Sequence, residues 1–240
     1  MKVPTAAELL EADDALRAVR AAARERMTAD AAHDEAHLLR VADWTVRLVP
    51  DAYREAGEMP PPRVERLAVA AAVLHDVVNV PKSDPRRADA SRLSAEVARA
   101  ILSPLGFGPD DVALVADAIL DHSYSRGVTP RSPLGRALQD ADRLEALGAL
   151  GVLRCVATGT SGGAALFDPD DPWAERRPFD ERRFALDHFQ TKLLRLPSTL
   201  CTAAGRAEAA RRAALMVRLL EALGDEVGAA YRGIGDAHGG

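Results

Sequence analysis

Apolar residues recur every three to four positions along almost the whole chain, which is the spacing of one face of an α-helix. Proline, glycine and short polar runs interrupt the pattern and divide it into segments. The pattern predicts helices over about residues 6–27, 30–50, 63–76, 90–103, 110–122, 133–158, 180–196 and 202–223. Since the sequence carries no β-hairpin signal, the fold class it predicts is all-α.

The helices are expected to form a single bundle with a long irregular loop ahead of the C-terminal helices. That loop is residues 159–178, which are rich in Gly, Asp and Pro. The second helix is expected to loosen at Pro50. The helix over 63–76 contains LAVAAAVL, which is apolar on all sides and predicts the central buried helix.

Domain boundaries follow from the same pattern. We expect one domain over residues 30–225, an N-terminal helix within 1–29 packed on its core, and a flexible tail over 226–240.

Composition supports helices, since aromatic residues make up only 4% of the chain while Ala, Leu and Arg are abundant. A net charge of −5 gives no sign of a stable nucleic-acid partner or of an anionic membrane surface. The two cysteines are not in a CxxC pair, and the acidic N-terminus lacks the apolar stretch of a secretion signal. We therefore expect a cytoplasmic protein, either a monomer or a homodimer.

Histidines and carboxylates occur in three groups. His33 and His37 are four residues apart, so on a helix they share a face. His75-Asp76 directly follows the apolar helix. The third group contains Asp140 and Asp142. Imidazole and carboxylate are ligands that divalent first-row metals accept.

Each group also has an ordinary explanation, such as solvation on a helical surface or capping of a helix end. His75-Asp76 fits that explanation least, because both groups emerge at the edge of the core. Burying a charge or an unpaired imidazole is costly unless another group compensates it. A metal ion would be an efficient compensator.

Five longer motifs occur in a fixed order: HDEAHLLRV, LHDVVNVPK followed by Ala90-Ser91, DHSYS, DADRLEALGALG and HFQTKLL. They resemble the HDxxHxxRV, LHDVVNxPK with AS, HS, DADRLDALGAIG and HFxxKLL motifs of the HD superfamily of metal-dependent phosphohydrolases. The resemblance is to the bacterial branch that cleaves nucleotides or other small phosphorylated compounds, and it covers about residues 30–225. Glu145 departs from it where Asp is common, and Arg86-Arg87 doubles one basic position.

The resemblance implies a single HD-domain helical bundle and a set of metal ligands, which are His37, His75, Asp76 and Asp142. Asp140 is the alternative to Asp142 if the alignment is shifted by two residues. The implied cofactor is a divalent metal ion, with Mn²⁺ expected first and Co²⁺, Ni²⁺, Fe²⁺ or Mg²⁺ as alternatives. Asp76 is expected to hold or deprotonate the attacking water. His122 is expected to act as an acid or to contact phosphate. An equally weighted alternative is a structural role, in which the imidazole lies at a helix C-terminus and is stabilised by the helix dipole.

The implied substrate is a small phosphorylated metabolite, most of all a nucleotide. Either a triphosphate is cleaved to monophosphate and pyrophosphate, or a monophosphate is dephosphorylated. The residues expected to bind it are His33, Asp34, Lys82, Arg87, Ser91, His188 and Lys192.

Two alternatives stay open. One is a non-catalytic helical regulator that binds a phosphorylated ligand. The other is a zinc peptidase that uses HDEAH in place of HExxH.

Overall fold

The computed structural model describes residues 3–27, 34–78, 80, 89–123 and 127–233. Within these ranges the regular elements are helices, apart from an isolated bridge between Ala165 and Phe184. The predicted all-α fold class is confirmed. The α-helices are α1 Ala6–Ala12, α2 Asp14–Arg24, α3 Glu35–Ala56, α4 Val64–Leu74, α5 Ala90–Leu102, α6 Pro109–Asp121, α7 Pro133–Leu144, α8 Gly148–Ser161, α9 Asp187–Thr191 and α10 Ala203–Val227.

The chain divides into two compact units. The first is Met1–Asp142 with Cys201–Gly205, and the second is Arg143–Leu200 with Arg206–Gly240. No helix in the described ranges combines the length and the low polarity needed to cross a bilayer.

The core of the first unit forms around α4. Residues 67–74 are all buried, as their apolar run predicts. α4 packs against α2, α3 and α6, and α5 packs against α6. Since α4 is buried from Leu67 to Leu74, its carboxyl end places His75 in the interior of this unit and Asp76 at the edge of that interior.

The predicted N-terminal helix is two helices, because Asp13 interrupts it. The Asp13 carboxylate accepts hydrogen bonds from the N–H groups of Ala15 and Leu16, which caps α2. Asp13 also pairs with Arg66, with Nε and Oδ2 2.7 Å apart. The apolar spacing continues through this point, so periodicity alone does not reveal the break.

The expected loosening of the second helix at Pro50 is wrong. α3 runs through Pro50 to Ala56 and ends at Gly57, whose φ of 68° is the left-handed conformation that glycine adopts readily. The cost of the missing backbone hydrogen bond is offset by burial, since Leu48, Val49, Ala52 and Tyr53 are all in the core.

The helix predicted over 133–158 is also broken. α7 ends at Leu144 and α8 begins at Gly148, whose φ is 75°. A right-handed helix cannot pass through a residue in this conformation, and glycine adopts it at the lowest cost.

The helix predicted over 180–196 is wrong, and only α9 and a 3₁₀ helix, Leu193–Thr199, are present there. The backbone around Phe184 is engaged elsewhere. Ala165 donates its N–H to the carbonyl of Arg183, and Ala185 donates its N–H to the carbonyl of Ala165. These non-local bonds compete with helix formation.

Candidate active site

His37 enters the site from the first turn of α3. Asp34 caps this helix, and its carboxylate accepts a hydrogen bond from the His37 N–H at 2.8 Å. The cap fixes where the helix begins and therefore where His37 lies in its first turn. The imidazole is almost completely buried.

His75 follows α4 and is completely buried. Its Nδ1 lies 2.7 Å from the carbonyl oxygen of Ala72. A carbonyl oxygen can only accept, so Nδ1 carries the proton and Nε2 presents its lone pair. That Nε2 atom lies 3.5 Å from Oδ2 of Asp76.

His122 is held in the same way at the end of α6. Its Nδ1 lies 2.6 Å from the carbonyl oxygen of Ile119, which leaves Nε2 directed toward Asp76. Nε2 of His122 is 3.7 Å from Oδ1 of Asp76. The two carboxylate oxygens of Asp76 therefore face two different histidines, with Oδ2 toward His75 and Oδ1 toward His122.

The carboxylate of Asp142 completes the cluster. Its Oδ1 atom lies 3.7 Å from Nε2 of His37 and 3.8 Å from Nε2 of His75. Asp142 lies near the end of α7, so the cluster draws on α3, α7 and the residues that follow α4 and α6.

Asp140, the alternative ligand, has a different set of contacts. Its buried carboxylate accepts hydrogen bonds from the N–H groups of Cys201 and Thr202 and from the Thr202 hydroxyl, each at 2.7 Å. The Thr202 hydroxyl in turn accepts from the N–H of Gly205, in the first turn of α10. The geometry therefore gives Asp140 an anchoring role and leaves Asp142 facing the histidines.

We expect Gly205→Ala to destabilise the protein by about 1–3 kcal/mol, the cost of overpacking. A Cβ at Gly205 would lie 2.6 Å from Oδ2 of Asp140 and 2.7 Å from Oγ1 of Thr202. The Asp140 carboxylate cannot move away without losing its bonds, so the higher helix propensity of alanine does not compensate. Urea unfolding measures the change. Gly108→Ala is the control, because a Cβ there meets only ordinary contact at 3.8 Å. Equal stability of the two variants would contradict this account.

The electrostatic surroundings of His75 and Asp142 favour the protonation states in which these side chains bind metal ions. Burial lowers the pKa of His75, and the charge of Asp76 does not fully oppose it. Burial raises the pKa of the Asp142 carboxyl, but the charges of His75 and His37 outweigh this and lower the pKa below its usual value. For His122, burial lowers the pKa, but Asp76 and Asp142 raise it above its ordinary value. A neutral His75 and an ionised Asp142 are the forms that bind cations.

The donor set fits a divalent cation. One ligand atom from each of His37, His75 and Asp76 lies within 4.8 Å of the others. Nε2 of His75 is buried and has no hydrogen-bond partner in the described part of the chain. The spacings of 3.5–3.8 Å between nitrogen and oxygen exceed hydrogen-bond length. Such spacings suit atoms that share an ion.

Comparison with known proteins supports this interpretation. The sequence profile of the HD domain matches residues 34–147. An HD-superfamily hydrolase from Bacillus thuringiensis has a similar structure, with 27% identity, a TM-score of 0.65, and coverage of 94% of this chain and 100% of that one. A predicted HD-superfamily hydrolase from an uncultured Thermotogales bacterium matches at 25% identity with a TM-score of 0.59, over 92% and 97% of the two chains. Residues 34–147 of this chain are an HD domain.

YpgQ of Bacillus subtilis, an uncharacterized protein, is 28% identical over 199 residues, which is 81% of this chain and 84% of YpgQ. The crystal structure of YpgQ in complex with ADP matches with a TM-score of 0.64 and 26% identity. It covers 92% of this chain and 96% of that chain. The range that matches the HD domain, residues 34–147, includes His75-Asp76.

Of the residues predicted to bind substrate around the HD domain, the structure describes some and leaves others outside the described ranges. His33, Lys82 and Arg87 lie outside the described residues. Asp34 is described, and its carboxylate forms the N-cap of α3. Ser91, in the first turn of α5, is buried, and its hydroxyl has no hydrogen-bond partner within the described ranges.

The first turns of α5 contact the segment that follows the HD pair. Oγ of Ser94 accepts a hydrogen bond from the N–H of Val78, two residues after Asp76. Ser91 is three residues before Ser94 and so lies on the same face of α5. This contact places the buried hydroxyl of Ser91 on the helix face that turns toward that segment.

His188 and Lys192 belong to the second unit. Nδ1 of His188 lies 2.8 Å from Oε2 of Glu181. Thr191 also donates a hydrogen bond from its hydroxyl to Glu181. Burial raises the pKa of Glu181, but the hydrogen bonds from Thr191 and His188, with the charge of Lys192, lower it overall. His188 therefore contacts an ionised carboxylate, and the charge of Lys192 favours the same ionised form.

Sequence reasoning missed Gln139, which is buried in α7 three residues before Asp142. Its amide donates hydrogen bonds to the carbonyls of Asp121 and Val128. A polar residue one turn before a predicted ligand is the available sequence signal. It is weak, because an exposed glutamine on a helix gives the same pattern.

Proposed function

We propose that this HD-domain protein is a metal-dependent phosphohydrolase that acts on a small phosphorylated metabolite, with nucleotides as the first substrate class. The observation that supports this proposal is the convergence of His37, His75, Asp76 and Asp142 on one point, with His122 beside Asp76. Buried imidazoles and partly exposed carboxylates in this arrangement fit a divalent cation and leave one carboxylate oxygen and one further imidazole facing the same space.

His37, His75, Asp76 and Asp142 would hold the cation, and Mn²⁺ is the metal we propose. A divalent cation at such a site supplies Lewis-acid chemistry, which offsets phosphoryl charge and makes water a competent nucleophile near neutral pH. The protein contributes fixed ligand orientation, since the Ala72 carbonyl sets the tautomer of His75 and the Asp34 cap sets the start of α3.

Asp76 is proposed to orient the attacking water and to accept its proton at Oδ1. This oxygen faces His122, whereas Oδ2 faces His75. The Asp76 side chain is about a quarter to a third exposed, so water reaches it from outside the core. In its protonated form, His122 is proposed to donate a hydrogen bond from Nε2 to a phosphoryl or leaving-group oxygen, because its Nδ1 already donates to Ile119.

A nucleotide substrate is supported by the relative YpgQ, which was crystallised with ADP. Ser91 supports a phosphate contact, since a buried hydroxyl without a partner in the described ranges is available to an acceptor oxygen. His33, Lys82 and Arg87 are proposed to contribute further contacts on the basis of the motifs alone. His188 and Lys192 are likewise proposed on the basis of their motif alone.

Metal content and reaction products test this proposal together. We expect protein purified without chelator to contain a divalent transition metal, and chelation to reduce phosphate or pyrophosphate release by about a hundredfold or more. Mn²⁺, Co²⁺, Ni²⁺ and Mg²⁺ are added back separately, and nucleoside mono-, di- and triphosphates are assayed. Ion chromatography distinguishes orthophosphate from pyrophosphate. A metal-free preparation that hydrolyses none of these substrates after every metal addition would overturn the proposal.

A further inference from the structure

Gln139 is a buried glutamine whose amide connects two segments of the first unit to α7. Its Nε2 atom lies 3.2 Å from the carbonyl oxygen of Asp121 and 3.3 Å from the carbonyl oxygen of Val128. Its Oε1 atom accepts a hydrogen bond from Sγ of Cys201 at 3.5 Å. A thiol donor on the oxygen side and carbonyl acceptors on the nitrogen side fix the orientation of the amide.

The Asp121 carbonyl has a direct structural link to His122. It belongs to the planar peptide unit that joins Asp121 to His122, so a bond to this carbonyl fixes the plane from which the histidine extends. Asp121 is the last residue of α6, where the helix offers its final carbonyls no internal partner. Gln139 supplies the partner from α7.

A second contact anchors the side chain of the same residue, Asp121. Arg131 donates from Nε to Oδ2 of Asp121 at 2.8 Å, and its backbone N–H donates to the same oxygen at 3.3 Å. Gln139 therefore binds the backbone of a residue whose side chain is itself anchored. His122 follows directly, with its ring restrained by Ile119 and facing Asp76.

We propose that Gln139 is a positioning residue whose amide fixes the end of α6, and with it the His122 ring beside Asp76, relative to the helix that carries Asp142. Gln139 and Asp142 are one turn apart in α7. A single helix therefore carries both the amide that binds the Asp121 carbonyl and one carboxylate of the cluster. Without the amide, the buried carbonyl of Asp121 and the more exposed carbonyl of Val128 lose this donor, and the Asp121–His122 peptide is held less firmly. The consequence for catalysis depends on the function proposed above, whereas the placement of the ring does not.

The test is Gln139→Leu, which keeps the approximate size of the side chain and removes both donors. Gln190→Leu is the matched control, because Gln190 is also buried and donates its Nε2 to one backbone carbonyl, that of Trp173, within the second unit. Arg131→Gln is a second variant, at a side chain that is 62% exposed. It loosens the same peptide through Asp121.

Imidazole ¹⁵N resonances of the metal-free protein report ring placement independently of activity. His122→Asn identifies the His122 signals among those of the six histidines. We expect Gln139→Leu to shift the His122 signals and leave those of His75 in place. Arg131→Gln is expected to give a smaller shift in the same signals. Gln190→Leu is expected to shift neither pair.

In the kinetic arm, Gln139→Leu is expected to lower kcat by about tenfold to a hundredfold, the effect of misplacing a reacting group by about 1 Å. The Mn²⁺ dissociation constant, measured by calorimetry, is expected to change by less than about threefold, because the cluster carboxylates and His75 keep their own supports. Unmoved His122 signals in a folded Gln139→Leu protein, or equal shifts in Gln190→Leu, would overturn the inference. If the wild-type protein hydrolyses nothing, the proposed function fails and the resonance comparison still decides the role of Gln139.

Discussion

Asp76→Asn is expected to lower kcat for phosphate hydrolysis by about a thousandfold, which corresponds to about 4 kcal/mol of transition-state stabilisation. The substitution keeps the size of the side chain but replaces one oxygen by an amide nitrogen that cannot accept a proton or bind a cation. Asp76 is the residue whose two oxygens face His75 and His122 separately, so neither oxygen is redundant. The loss is therefore expected in kcat and in metal affinity together.

Asp51→Asn is the matched control for this measurement. Asp51 is a carboxylate with almost the same exposed fraction, 27% against 29% for Asp76, and it pairs with Arg54 within α3. The control variant is expected to keep its activity within about twofold, because a surface ion pair of this kind contributes little. A folded Asp76→Asn protein with wild-type kcat would remove Asp76 from the mechanism.

The second large effect separates the roles of two carboxylates in α7. Asp140→Asn is expected to lower the free energy of unfolding by about 3 kcal/mol, because the buried carboxylate accepts three hydrogen bonds that an amide cannot all replace. Asp142→Asn is expected to change the stability of metal-free protein by less than about 1 kcal/mol. It is expected to abolish Mn²⁺ binding, because Oδ1 of Asp142 is the atom that faces His37 and His75.

Urea unfolding and calorimetric Mn²⁺ titration measure this pair of variants side by side. The two proteins carry the same chemical change two residues apart in one helix, so each serves as the control for the other. The reverse pattern, with metal binding lost in Asp140→Asn and stability lost in Asp142→Asn, would restore Asp140 as the ligand.

The contrast between Asp140 and Asp142 also shows where sequence information ends. Two residues apart on a helix means roughly 200° of rotation, so the two carboxylates must face different surroundings. Spacing alone does not say which surroundings contain the histidines. The deciding contact joins Asp140 to Cys201 and Thr202, about 60 residues further along the chain. Such a contact has no signature in the local pattern.

The placement of His75 and Asp76 was easier to predict, because one local property decides it. An apolar run without a polar side has to be buried, so the residues at its carboxyl end emerge inside the domain. The helix ends were harder to predict. Asp13 and Gly148 each break a periodic pattern, through a side-chain cap at Asp13 and a left-handed backbone at Gly148. Periodicity reports the buried face of a helix and is insensitive to both.

The failure over residues 180–196 has a different origin. The sequence there has helical spacing, but the backbone of Arg183 and Ala185 pairs with Ala165 instead. Hydrogen bonds between segments about 20 residues apart override the local preference, and no single residue in the segment signals them. Of the α-helix predicted over this segment, only the five-residue helix α9 is formed.

The way in which His75 and His122 are oriented has a consequence for how this site tolerates mutation. Each imidazole is fixed by a main-chain oxygen three residues earlier, at Ala72 and at Ile119, and not by another side chain. A main-chain acceptor survives substitution at its own position as long as the helix does. Substitution at position 72 or 119 therefore keeps the oxygen that orients each ring, so packing alone limits which side chains these two buried positions accept.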